Sequence, residues 1–313
     1  MVDHALGPAW SIALVVVAAL LALAAAGLNG VLVARSAGRP ARSGMVSPLT
    51  ESARLLTQRR RRTLQRDPIL QQVGVFGLPL IAVLMLSVVP LGDRPLLDLP
   101  VGVVWFNALD VAVWAVVWLA GWAPNSAFPL VGAYRFLALA LAYELPLMFA
   151  LSTPAVAAGS LRLSDIVSAQ SGGWFVVWMP LAFAVYLVGV AGFAVWGPLS
   201  APVGADLAGG VLGETSGPDR LLVLGGRYAV LVAGAAFTVP MFLGGGHGPL
   251  LPAWMWVLVK TAAVLAGLVW LGRRIPTLRP DRFLEVGWLV LLPITLLQLL
   301  VVAIVVGTGG GGG

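Results

Sequence analysis

The sequence has no cysteine and only two histidines, His4 and His247, among 313 residues. Disulfides, thiol chemistry and cysteine-ligated iron–sulfur clusters are therefore excluded from this chain, and a multi-histidine haem or zinc site has too few ligands. Charge is scarce as well. Asp, Glu, Lys and Arg make up 10% of the residues, where a soluble domain carries about 25%. Lysine is almost missing, since Lys260 is the single one and arginine supplies every other basic group. With 59% hydrophobic residues and a mean hydropathy of +0.96, water cannot be the main solvent of this chain. The formal charge of +6 would suit nucleic acid, but the arginines fall between apolar runs and mark topology instead. No metal ligand set and no catalytic residue can be assigned, so any redox cofactor must be bound by a partner.

A window of about 19 residues finds apolar spans near Trp10–Val33, Val73–Leu91, Pro100–Gly121, Leu130–Thr153, Gly173–Trp196, Tyr228–Leu243, Leu251–Leu271 and Val286–Val306. The fold class is thus all-α, a polytopic transmembrane bundle of about eight helices. The Tyr228 span is short for a hydrocarbon core of about 30 Å, so its helix is expected to extend back through Leu221 with Arg227 at the interface. The first span is too long for a signal core and lacks a basic flank, and is expected to stay. Residues 1–306 form one membrane domain. The tail 307–313, rich in glycine, is expected to be disordered.

Basic residues concentrate on the cytoplasmic side of a membrane protein, and here the odd-numbered loops hold nearly all of them. Nine arginines lie between residues 34 and 72, and Arg220, Arg227, Arg273, Arg274, Arg279 and Arg282 follow in later odd loops or at their borders, against Arg94 and Arg162 in the even ones. Both termini are then periplasmic. In the first loop Ser47 can cap a helix with Pro48 at its first position, and Leu49, Ala53 and Leu56 share one face, which predicts a short amphipathic helix on the membrane surface. The fifth loop, 197–226, is polar and irregular, tolerable near a bilayer only against protein or a water-filled cavity. It is a candidate partner surface.

Four ionisable residues fall inside or at the edge of spans: Asp110, Arg135, Glu144 and Lys260. A charge at the bilayer centre costs about 2.5–3.5 kcal/mol on insertion scales, so each is read as a paired structural group or as a member of a proton path. Arg135 and Glu144 lie about 13 Å apart along one helix axis and cannot pair. Each needs a partner elsewhere. Trp10, Trp174 and Trp178 read as interfacial anchors.

The stretch Gly121–Leu147 reads GWAPNSAFPLVGAYRFLALALAYELPL. Its Gly121, Trp122, Asn125, Ser126, Gly132, Arg135, Tyr143 and Glu144 resemble, at the right spacing, the signature of the H-subunit (subunit 1) family of respiratory complex I, the NADH-quinone oxidoreductase. Further matches are Lys260, Trp270, Pro276, Arg279, Asp281, Gly287, Trp288, Leu292 and Pro293, then Asp98, Leu99 and Gly102, then Pro48, Leu49, Leu55 and Leu56. The chain departs from the family in its fifth loop, where only Asp206 and Glu214 remain of a glutamate-rich segment, and in its first, which keeps Arg35 and Arg39 with Pro40 but lacks the Gly-Pro-Asn turn.

The resemblance implies a bacterial plasma-membrane subunit that contributes to a quinone chamber beside a peripheral arm. It implies that Glu144, Asp206, Glu214 and Lys260 belong to a proton path linking quinone reduction to the membrane arm, and that Arg35, Arg39, Arg279 and Asp281 belong to the chamber. Quinone would be the substrate, with FMN and iron–sulfur clusters held by partner subunits. Two alternatives stand beside this reading: the anchor of a related membrane-bound hydrogenase, and a free-standing transporter, which would show an internal repeat or a helix broken at mid-membrane.

Overall fold

The computed structural model describes residues 8–92 and 95–309. His4, Arg94 and the last four glycines lie outside the described residues. Among the described residues regular structure is helical, in the order α1 (Pro8–Ser36), α2 (Ala41–Thr57), α3 (Pro68–Leu86), α4 (Gly102–Trp122), α5 (Ala127–Ala158), α6 (Leu163–Ala169), α7 (Phe175–Trp178), α8 (Pro180–Phe193), α9 (Gly217–Phe242), α10 (Ala253–Arg274), α11 (Pro280–Val286) and α12 (Leu292–Gly309). Seven of the described runs are long and apolar enough to cross a bilayer: α1, α3, α4, α5, α9, α10 and the continuous stretch Pro280–Thr308, in which α11 passes through a π-helical turn into α12. The remaining span, expected at Gly173–Trp196, is the shorter α8 preceded by the single turn α7. Pro180 explains the break, because its ring drives Met179 out of the helical region (φ −121°, ψ 46°). The polytopic bundle stands.

The helix expected to extend back through Leu221 does so and starts at Gly217, which places Arg227 well inside α9, where its guanidinium donates to the carbonyls of Ala194 and Val195 beyond α8. At the other terminus α12 runs through Gly309, so the described part of the glycine tail is helix.

The surface helix is real but begins earlier. Pro48 sits inside α2 rather than at its first position, and Ser47 is no cap. A proline in a helix interior leaves the carbonyl four residues back without its donor. Here that carbonyl is Gly44's, and the Ser47 hydroxyl donates to it at 2.7 Å. The local repair lets the helix pass through its proline. α2 then packs against α1, where Gly30 meets Gly44 so closely that a Cβ on either would overlap the other's carbonyl. Small residues allow such approach between helices that lipid does nothing to drive together.

Burial separates centre from rim. Of the most apolar window in each, 67% is buried for α9 and 61% for α5, against 22% for α1 and 17% for the last span. The centre is therefore α5 and α9 with α4 and α8, where Phe106 stacks on Phe237 at 3.7 Å and Gly192 of α8 makes room for the Tyr143 ring. At the arginine-rich end, residues 197–212 fold into four short 3₁₀ turns that close their own backbone hydrogen bonds and bury Leu199, Val211 and Leu212. This loop is tied to the end of the first one. The Ser216 hydroxyl accepts from the Arg61 N–H at 2.6 Å, and Arg60 pairs with Asp219 at 3.4 Å.

Candidate functional site

A cavity of about 800 Å³ lies between α1, α2, α3 and α9. It falls within the range of small-molecule sites, about 300–1,000 Å³. Its wall is apolar apart from Asn29, Ser47, Thr50, Glu51, Ser52 and Tyr228. The sequence makes this space from small residues, because Ala18, Ala22 and Ala26 of α1 face Gly225 and Gly226 of α9 and leave a gap that α2 roofs. Glu51 is held by a two-pronged pair with Arg54 (2.6 and 2.7 Å), and the Arg54 guanidinium keeps its carboxyl below the usual carboxylate range. Asn29 bridges two elements, donating to the Tyr228 hydroxyl at 3.0 Å and accepting from Arg273 at 2.5 Å.

Deeper in the bundle, five polar groups meet without water-facing neighbours. Asn107, Asp110 and Trp114 recur at the three- and four-residue spacing of one helix face on α4, turned toward Tyr143 and Glu144 of α5. Asn107 donates to Glu144 Oε1 at 3.2 Å, and Asp110 lies one turn further along the same face of α4. Both Asp110 oxygens, Glu144 Oε2, Trp114 Nε1 and the Tyr143 hydroxyl are buried without a partner among the described residues. Two ionised carboxyls would only accept. Protonation would give either carboxyl a donor.

The remaining predicted residues are placed as follows. Asp206 pairs with Arg135 at 2.6 Å, and Glu214 accepts from the Ser126 hydroxyl at 3.1 Å, so both loop carboxylates rest on the arginine-rich end of α5, the helix that carries Glu144. Lys260 is elsewhere. Its ammonium donates to the carbonyls of Leu243, Gly245 and His247 at 2.7, 2.9 and 2.8 Å and lies 4.4 Å over the Trp174 ring. Among the described residues no ion pair joins it to Glu144, Asp206 or Glu214. Arg35 and Arg39 are exposed where α1 ends, and Arg279 pairs with Asp281 at 3.2 Å in the open. None of these four lines the cavity.

The matching family model, described as NADH dehydrogenase, covers residues 9–303. The chain is 37% identical over 270 residues to the NADH-quinone oxidoreductase H subunit numbered 1 of Geobacter metallireducens, covering 82% of each, and 36% identical with the same coverage to the H subunit numbered 2 of Geobacter sulfurreducens. An H subunit of Carboxydothermus hydrogenoformans is 31% identical over 239 residues, 74% of this chain and 67% of that one. This chain belongs to the H-subunit family of NADH-quinone oxidoreductases. In this member of the H-subunit family, sequence reasoning left Asn29, Glu51 and Tyr228 unassigned and did not decide between a structural and a proton-path reading of Asp110. Asn29 carried a signal, a lone amide within the apolar run Ala24–Val33. Asp110 carried another in its spacing from Asn107 and Trp114. Tyr228 carried none.

Proposed function

We propose that this chain is the membrane subunit of a proton-translocating NADH-quinone oxidoreductase that receives quinone in the cavity under α2 and links its reduction to proton movement through Glu144. The observation that carries the reading is the buried Glu144, held by Asn107 and one turn of α4 from the buried Asp110, on the helix whose other end meets both loop carboxylates, within a chain whose cavity is sized for a ring with an apolar tail. A quinone that accepts two electrons becomes a base, and carboxyl groups respond to such charge by gaining or losing protons. Asp206 and Glu214 would sense the change from the cytoplasmic face, with Arg135 as counter-ion, and Asp110 with Glu144 would hold the proton inside. Electrons would arrive from peripheral subunits carrying FMN and iron–sulfur clusters, since a chain without cysteine offers no thiolate ligand to such a cluster. Its relatives are H subunits of NADH-quinone oxidoreductases, which supports the same assembly. The transporter reading gains nothing from the one broken span, since the break at Met179 falls near the start of that span and not at its middle.

The test is purification of the native assembly in mild detergent from the bacterial membrane. Flavin and iron–sulfur content with NADH-driven quinone reduction and proton uptake are expected. Nickel without flavin would replace the reading with the hydrogenase anchor, and a stable isolated chain that moves a solute would replace it with the transporter.

A further inference from the structure

The polar groups of the cavity differ in what they have left to give. Ser47 donates to the Gly44 carbonyl at 2.7 Å, Thr50 to that of Ser47 at 3.1 Å and Ser52 to that of Pro48 at 2.7 Å, so all three hydroxyl protons are spent on their own helix. Glu51 only accepts when ionised, and both its oxygens already receive Arg54. Asn29 and Tyr228 remain.

Their orientation follows from chemistry. The Arg273 guanidinium can only donate, so the Asn29 atom facing it at 2.5 Å must be the amide oxygen. The amide nitrogen then points at Tyr228 and donates to its hydroxyl oxygen at 3.0 Å. A hydroxyl that receives from an amide nitrogen must send its own proton elsewhere, and among the described residues it donates to nothing. The second amide hydrogen of Asn29 is likewise unused. Both residues line the cavity, so its wall carries one cluster of free donors, fixed from behind by Arg273.

We infer that the Asn29–Tyr228 pair, held by Arg273, is a hydrogen-bonding stop for a ring carbonyl of quinone inside the cavity, with Tyr228 Oη as the donor and Arg273 as the positioning residue. The inference rests on the reading of the cavity as a quinone chamber. A donor fixed toward the cavity suits a ligand that accepts, which a quinone carbonyl does, while the alanine and leucine wall suits its tail. Ring binding would thus be set at the level of Asn29, roughly five turns into α1 from Trp10.

Two substitutions remove the free donor in different ways. Tyr228→Phe deletes the hydroxyl. Asn29→Asp keeps shape and keeps the oxygen that Arg273 needs, but turns the Tyr228 proton onto the new carboxylate, so the donor is consumed though nothing polar is lost. Ala22→Phe fills the cavity away from the pair. The assay is steady-state quinone reduction by the purified complex with a short-tailed quinone, alongside NADH oxidation by ferricyanide as a measure of intact assembly. Both donor variants are expected to raise KM roughly fivefold, the loss of about one hydrogen bond, with kcat and the ferricyanide rate near wild type. Unchanged KM in Tyr228→Phe and Asn29→Asp, with quinone reduction abolished by Ala22→Phe, would overturn the stop and leave the chamber standing. No effect from any of the three would overturn both.

Discussion

Lys260 offers the sharpest test of whether an ionisable residue in a span carries protons or holds structure. In Lys260→Met the stem keeps its length and apolar character, but the carbonyls of Leu243, Gly245 and His247 lose the cation that all three share, and the Trp174 ring loses its contact. Hydrogen bonds to a charged group contribute about 1.5–3 kcal/mol each, which would sum to well over 4 kcal/mol if they were independent. They are not independent, because one ammonium serves all three and the effects of a shared partner do not add. The carbonyls also belong to the turn after α9, where water can replace part of what is lost. About 3 kcal/mol is the remaining expectation, localised to the α9–α10 connection, and equal to a roughly hundredfold faster opening. Hydrogen exchange of the amides from Leu243 to His247 in the assembled complex reads that number directly. Lys260→Arg should lie between, since a planar fork cannot meet three converging carbonyls. If exchange in this turn is unchanged in Lys260→Met while proton uptake per quinone is lost, the structural account is wrong and Lys260 is a proton carrier.

Three further outcomes are expected. Gly30→Ala should lever α2 from α1, because the new methyl overlaps the Gly44 carbonyl; overpacking of this kind costs about 1–3 kcal/mol, and faster proteolysis of the α2 region with a raised quinone KM is the readout, wild-type behaviour in both counting against the tight crossing. Glu144→Gln should assemble normally yet lose proton uptake, and lose quinone reduction to the extent that the two are coupled; full turnover with full uptake would reduce Glu144 to a brace between α4 and α5. For topology, a reporter after Gly313 should respond from the periplasm and one inserted between Arg62 and Arg66 from the cytoplasm, and a shared side for both would require an odd number of crossings.

Hydropathy was enough to place the seven long apolar helices and the shorter α8, because the bilayer is a uniform solvent that requires backbone paired over a fixed length. The interrupted fifth span could also be foreseen from Met179–Pro180, since the proline constraint is local. Where the reading of Pro48 as a helix start failed, the reason was a side chain: Ser47 supplies the donor that the proline withholds, and a rule that counts backbone N–H groups alone cannot see it. The site is harder for a different reason. Asp110 and Glu144 are recognisable one at a time as misplaced charges, but which face of α4 meets which face of α5 depends on packing among residues that are almost all Ala, Val and Leu, and those carry little directional information. The cavity is further still from the sequence, because it is an absence of side chains summed over α1 and α9, two helices about 200 positions apart in the chain. Only the pattern of donors left over, once every helix has satisfied its own backbone, distinguishes Asn29 and Tyr228 from the other polar residues on that wall. Such a remainder is a property of the folded bundle and not of any segment of it.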